Sequence, residues 1–266
     1  MGRPIKPARS LVGPGLTGPR DLWRGCAAFV PVMERSGRAV DVISGARTTT
    51  AIPKAATTAG LGERFTGSQR NDLGDFSRVP TQAPVTMFAT VFVSSTGSDT
   101  DTFVSVSDTD TDKNYYAVGA FTGQARLVSR RFDFVSAQGG PDLRDGLPHT
   151  IVGVIEPAGS TNELRLYVDG TLAATNTANF PIGLDIASYG AINRSGKPLT
   201  DDLIGDILCA GLWSRVLSDA EIRLLARDPF IMLRSDAPEI AALSGVASTG
   251  TAASTDIGAG ALSLAG

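Results

Sequence analysis

The stretch Pro148–Thr175, PHTIVGVIEPAGSTNELRLYVDGTLAAT, decides the fold class. Ile151–Ile155 is a continuous apolar run of strand length, which predicts a strand buried on both faces. Glu156–Asn162 is rich in Pro, Gly, Ser and Asn and marks a turn. Leu164, Leu166 and Val168 then alternate with Arg165 and Tyr167, the period of two that places one strand face on a core. Asp169-Gly170 follows at once and offers the positive φ angles of a two-residue hairpin. Leu172–Thr175 is the return strand, so the stretch reads as three consecutive antiparallel strands.

The same period extends outward. Val85–Val93 predicts a central strand, with Met87, Ala89, Val91 and Val93 on one side and Phe88 and Phe92 on the other. Phe103–Ser107 alternates, and Tyr115–Phe121 and Ala125–Phe132 flank Thr122-Gly123-Gln124 as a hairpin. Leu203–Trp213 is the last long strand, with Ile207, Cys209, Gly211 and Trp213 on one face and Leu208, Ala210 and Leu212 on the other. Cys26–Val32 reads as the first strand and Ala39–Ile43 as a short second one. Glu63–Ser68, Asp75–Val79 and Ile186–Ile192 are weaker strands, while Thr48–Thr58 and residues 133–148 read as loops. Ser218 and Glu221 form a capping box for one helix, which Asp228-Pro229 ends.

The ends differ from the middle. Residues 1–20 are rich in Pro and Gly with basic residues and predict an extended arm. From about Ser235 to Gly266 the chain collapses to Ala, Ser, Gly, Thr and Leu, too little bulk for a core of its own. The expected organisation is an arm at 1–20, one β domain at 21–234 and a low-complexity tail at 235–266. Net charge is −3 over 266 residues, which argues against phosphate-backbone binding and so against nucleic acid as a partner. No run of 18 apolar residues occurs, so membrane insertion is not expected. The N-terminus lacks the apolar stretch of a secretion signal, which points to synthesis in a cytoplasm. Cys26 and Cys209, the two cysteines, both lie in apolar strands.

Three segments carry a resemblance. His149 opens a strand that leads through a short loop to Leu166-Tyr167-Val168-Asp169-Gly170. Gly205–Leu225 reads as a last strand followed by a short helix, and Leu22–Val30 with Glu34–Gly37 as an opening strand. Together they resemble the laminin G-like group of concanavalin A-type jelly rolls. The resemblance implies an all-β, two-sheet antiparallel jelly-roll sandwich with one short C-terminal helix and extended terminal arms. It implies neighbouring first and last strands, which leaves a Cys26–Cys209 pairing open, and a rim loop that in many members binds calcium. The Leu217-Ser-Asp-Ala-Glu-Ile222 helix start with its Asp228-Pro-Phe turn is similar to domains on bacteriophage heads and tail fibres.

Candidate chemistry is sparse. Related glucanases use closely spaced carboxylates on one strand, and no strand here carries such a set. His149 is the single histidine, and no Gly-x-Ser-x-Gly elbow accompanies it, so it reads as structural. No phosphate-binding Gly-rich motif lies between a strand and a helix. Asp99, Asp101, Asp108, Asp110 and Asp112 cluster, but Asp108–Asp112 lacks the Gly and Glu spacing of an EF-hand loop and reads as a solvated turn rather than a metal site. Tyr115 and Tyr116 adjoin it, and rings beside carboxylates suit a sugar. Asp108, Asp110, Asp112, Tyr115 and Tyr116 are therefore the candidate ligand-binding residues, with no catalytic set and no cofactor. The expected function is a non-enzymatic structural or adhesion protein of a tailed-phage virion. It would be anchored by its arms to itself and to other virion proteins, with a host-surface glycan as a further partner. A free carbohydrate-binding lectin, calcium-dependent or not, is the alternative.

Overall fold

The computed structural model describes residues 20–73, 76–95, 99–194 and 202–233. A short helix α1 (Arg20–Trp23) precedes strands β1 (Cys26–Pro31), β2 (Lys54–Thr57), β3 (Gly60–Thr66), β4 (Asn71–Asp72), β5 (Val85–Val93), β6 (Thr100–Ser107) and β7 (Asn114–Phe121). Then come β8 (Gln124–Arg131), β9 (Asp133–Asp142), β10 (His149–Ala158), β11 (Thr161–Val168), β12 (Thr171–Ala178), β13 (Ile186–Tyr189), β14 (Ile204–Trp213) and helix α2 (Asp219–Arg227).

The deciding stretch folds as read. β10, β11 and β12 are consecutive antiparallel neighbours. Asp169 (φ 50°) and Gly170 (φ 79°) make the turn, the pair of positive angles that a primed hairpin turn requires. One eight-stranded sheet runs β12-β11-β10-β5-β14-β3-β2, with β1 paired to β14. A six-stranded sheet runs β4-β13-β6-β7-β8-β9. The two pack face to face as the antiparallel jelly-roll sandwich expected from the sequence. Met87, Val91, Ile151 and Leu166 of one sheet share a core with Val104, Tyr116, Val118 and Leu127 of the other.

A second core lies outside the larger sheet. There α2 places Ile222 and Leu225 on Phe29, Phe88, Val152 and Trp213, with Leu22 on one side and Ile231 and Met232 on the other. Ser218 accepts from Glu221 N and the Glu221 carboxylate accepts from Ser218 N, so the capping box is formed. Trp213 is fully buried, and its Nε1 donates to Leu22 O at 2.7 Å. Among the described residues no helix is long and apolar enough to cross a membrane.

One side of the sandwich is joined by a buried polar cluster. Lys54 pairs with Glu63, whose other oxygen accepts from Tyr189 OH at 2.6 Å and Asn71 Nδ2 at 3.2 Å. Both ends of the ion pair are nearly excluded from water, and a buried charge demands such partners.

Several expectations need correction. Residues 133–148 read as a loop, yet β9 occupies Asp133–Asp142. The segment expected as strand at Asp75–Val79 holds a 3-10 turn at Phe76–Arg78. Ala39–Ile43 contributes one isolated bridge, Val40 to Arg47, and β2 lies inside the expected loop Thr48–Thr58. The turn expected over Glu156–Asn162 narrows to Gly159-Ser160, because the flanking strands pair as far as Ala158 and Thr161. A bulge between Ile207 and Cys209 breaks the alternation of β14. Ile207 therefore joins Ala210 and Leu212 in the inter-sheet core, opposite Cys209 and Trp213. First and last strands are neighbours, but the register sets Cys26 against Trp213 and Cys209 against Pro31, and both thiols are free. The arms expected at 1–20 and 235–266 lie outside the described residues, apart from Arg20 at the start of α1.

Candidate functional site

The two sheets treat their outer faces differently. That of the larger sheet lies under α2. That of the smaller sheet carries Tyr115, Ala117, Gly119 and Phe121 from β7, Arg126, Val128 and Arg130 from β8, and Phe134 from β9, because these positions alternate with core residues. Ser105 Oγ donates to Ala191 O at 3.3 Å, and Ser107 Oγ donates to Asn193 O. These bonds lay residues 191–193 across β6, where Ile192 clusters with Tyr115, Ala117 and Val128.

Arginines and rings interleave on the part left open. The Arg126 guanidinium lies 4.7 Å from the Phe121 ring centre and 5.3 Å from that of Phe134. Arg194 and Arg130 lie 5.6 Å and 6.0 Å from the Tyr115 ring centre. Contacts of this length hold a cation against a ring. Asp101, Thr102, Tyr115, Arg126, Phe134 and Ile192 border a cleft of about 20 Å³, room for one water molecule, so a larger ligand must lie on its rim. Phe134 is 48% exposed. At the β8–β9 tip Phe132 is 79% exposed and holds a φ of 67°, a conformation that bulky residues seldom adopt.

The predicted candidates divide. Tyr115 faces outward on this surface, whereas Tyr116 points into the inter-sheet core, where its hydroxyl accepts from Asn162 Nδ2 at 2.6 Å. Tyr116 is fully buried and cannot meet a ligand. The Asp108 carboxylate accepts from Asp110 N at 2.8 Å and Asn114 Nδ2 at 3.0 Å, the bonds of a local turn. Asp110 is exposed and Asp112 half-buried on that turn. Among the described residues no group of His, Cys, Asp and Glu gathers as a metal site. Sequence reasoning missed Phe121, Arg126, Arg130, Phe134 and Arg194. The alternation of Arg126, Val128 and Arg130 with Leu127 and Ser129 was the available signal.

Two titratable groups are perturbed nearby. Asp101 turns inward beside a bulge in β6, and its Oδ1 accepts from Ile204 N at 3.1 Å. Burial pushes its carboxyl up to about 6, against the opposing pull of that bond and of Arg144. His149 Nδ1 meets Asp169 Oδ2 at 2.8 Å and Nε2 meets Asp145 Oδ1 at 3.1 Å. Burial works to lower its pKa, but the two carboxylates outweigh it and raise the pKa above the ordinary value. With both ring nitrogens engaged by aspartates, His149 ties β10 to the Asp169 turn and has no nitrogen left to activate a nucleophile.

A family model described as the concanavalin A-like lectin/glucanases superfamily matches residues 65–223, more than half of the chain. No curated protein matches by sequence. Among solved structures, a Trypanosoma rangeli sialidase in complex with a difluoro sugar acid is 16% identical, with a TM-score of 0.57 over 79% of this chain and 33% of that one. The binding domain of Paraclostridial Mosquitocidal Protein 1 is 10% identical, with a TM-score of 0.57 over 79% of this chain and 53% of that one. The Ruminococcus gnavus IT-sialidase module CBM40, bound to alpha2,3 sialyllactose, is 18% identical, with a TM-score of 0.48 over 56% of this chain and 85% of that one. At these identities the likeness is one of fold.

Proposed function

The chain belongs to the concanavalin A-like lectin/glucanase superfamily, and from that membership we propose a non-enzymatic, glycan-binding adhesion module, displayed on a viral particle of the tailed-phage kind and anchored through its terminal segments. The observation that carries the proposal is the opposition of the two outer faces. The described chain enters through Leu22 and leaves through Ile231 and Met232, all packed on the outer face of the larger sheet. Tyr115, Phe121 and Phe134 lie on the opposite side of the sandwich, beyond the six-stranded sheet. Anchorage on one side and ligand on the other follow without steric conflict.

Binding is favoured over hydrolysis by the face itself. Glycoside hydrolysis needs two carboxyl groups about 5–10 Å apart across the scissile bond. Among the described residues, the outward positions of β6, β7 and β8 bear none; they hold Thr, Ser, Tyr, Ala, Gly, Phe, Gln, Arg and Val. Asp101, with its raised pKa, accepts its hydrogen bond from the junction with β14 rather than from this face. Exposed rings offer the apolar faces on which sugar rings stack.

The test pairs two measurements on the full chain and on a variant lacking residues 235–266. Glycan-array binding should be saturable and unchanged by the deletion, while the oligomer mass from light scattering should fall and the circular dichroism stay native. Absence of any glycan retention by the full chain refutes the binding role. Unchanged mass after deletion refutes the anchoring role and leaves a free lectin.

A further inference from the structure

We propose that Lys54 and Asn71 condense into an isopeptide bond that links the two sheets, with Glu63 as the catalytic carboxyl. The inference goes beyond the glycan-binding reading and does not depend on it. Lys54 and Glu63 are cross-strand partners on β2 and β3 of the larger sheet. Asn71 and Tyr189 are cross-strand partners on β4 and β13 of the smaller one. β2 and β4 are edge strands of their sheets, and the two pairs meet inside the sandwich.

The polar contacts of this cluster are those an acyl transfer needs. Lys54 Nζ contacts Glu63 Oε1. Asn71 Nδ2 donates to Glu63 Oε2 at 3.2 Å and to Tyr189 OH at 3.2 Å. One carboxyl therefore touches both the nucleophile and the leaving group, the position from which a general base becomes a general acid. Thr50 N donates to Asn71 Oδ1 at 2.7 Å. That bond identifies the end of the carboxamide that faces Glu63, and it sets a backbone donor where an oxyanion develops. Tyr189 OH donates to Glu63 Oε2 at 2.6 Å and holds the carboxyl in place.

Burial points the same way. The Lys54 and Glu63 side chains are 3% and 0% exposed, and Asn71 is fully buried. Apolar side chains of similar volume commonly stabilise a core as well as a buried ion pair does, so stability alone does not explain an amine, a carboxyl and a carboxamide gathered here. A site without water also protects the product amide from hydrolysis.

The step balances within the chain. Glu63 takes a proton from the Lys54 ammonium, which discharges both groups. The freed amine attacks Asn71 Cγ and forms the Nζ–Cγ bond, while the carbonyl π electrons move onto Oδ1 under the Thr50 N–H. Glu63 passes its proton to Nδ2 and takes the surplus proton from Nζ. The Oδ1 electrons re-form the carbonyl, and the Cγ–Nδ2 bond breaks with its pair on nitrogen. Ammonia leaves and carries the last proton from Glu63 away as ammonium, so Glu63 ends as a carboxylate. No oxidant, reductant or second substrate enters.

The experiment is intact-mass spectrometry of the purified, denatured full chain, followed by tryptic mapping. The mass should fall short of the composition by one ammonia. Trypsin should fail to cut after the acylated Lys54 and should release residues 48–64 joined to residues 71–78. Lys54→Arg, Asn71→Ala and Glu63→Gln should each retain the full mass of their composition. A full mass in the unaltered chain overturns the proposal whatever the variants do, so a variant that misfolds does not shield it. A missing ammonia that maps to a cyclised asparagine, or to any pair other than residues 54 and 71, also overturns it. A cross-link that still forms in Glu63→Gln overturns the catalytic assignment of Glu63.

Discussion

Asp101→Asn should stabilise the protein at neutral pH and leave it unchanged in acid. Asp101 is almost fully buried at the junction of β6 and β14, and its carboxyl titrates near 6 instead of the ordinary 3.8. The folded state therefore binds this proton more tightly than the unfolded chain does. The favourable contribution of protonation is complete below about pH 3.8 and is lost as pH rises through 6. Above that the fold carries a desolvated charge. The rise from 3.8 to about 6 corresponds to about 3 kcal/mol at roughly 1.4 kcal/mol per tenfold, an upper bound once screening by Arg144 and residual water is allowed for. Asparagine keeps an oxygen to accept from Ile204 N, the bond that Asp101 Oδ1 makes at 3.1 Å, and cannot ionise. Urea unfolding of both proteins between pH 3.5 and 8 should show a difference near zero at the acid end. It should grow to about 1–3 kcal/mol in favour of the variant by pH 8. A difference that stays flat across this range, or a variant less stable at pH 8, would refute the account of Asp101 as a carboxylate whose burial outweighs its hydrogen bond and the pull of Arg144.

The remaining predictions concern the second core and the turn tie. Trp213→Ala should cost about 3–5 kcal/mol in denaturant unfolding, since it empties the space between Phe29, Phe88 and α2 and orphans Leu22 O; a loss below about 1 kcal/mol contradicts the anchor role. Ser218→Ala should cost about 1 kcal/mol by the same assay, and an unchanged midpoint would mean that the capping box contributes nothing. His149→Gln should destabilise more at pH 6 than at pH 9. A raised folded pKa makes the contribution complete below the ordinary value of 6.5 and lets it fade as pH climbs through the folded one. An equal penalty at both pH values counts against the ion pairs to Asp145 and Asp169.

What the sequence discloses follows the range of the forces involved. The Asp169-Gly170 turn and the Ser218–Glu221 box are local, with every participating atom within a few residues, and both were legible. The bulge at Ile207–Cys209 was not, because Leu208 is as apolar as its neighbours and nothing in the alternation marks the extra residue. Strand β9 was hidden because Gly139-Gly140-Pro141 reads as a breaker. It is held by hairpin pairing with β8 and by Asn176 Nδ2 donating to Ser136 O at 2.7 Å, a contact made from 40 residues along the chain. The candidate face was half legible for the same reason. Tyr115 announces itself by composition, but its neighbour Phe134 comes from a stretch read as loop and Arg194 lies past the weak strand read at Ile186–Ile192.

Why one outer face is covered and the other open is nevertheless written in the strands. β10 is apolar on both sides: Ile151 and Ile155 enter the inter-sheet core while Val152 and Val154 face out. β5 and β14 add Phe88 and Trp213 to that outward surface. Leaving so much apolar area in water costs roughly 25 cal/mol per Å², so the sheet needs a cover, and the amphipathic α2 supplies one with Ile222 and Leu225. β8 is built otherwise. Ala125 and Leu127 enter the core, while Arg126 and Arg130 flank Val128 on the outside. A second helix laid there would bury guanidinium groups, and unpaired buried charge is prohibitive. The alternation that covers the larger sheet thus leaves the arginines of β8 on the outer face of the smaller one.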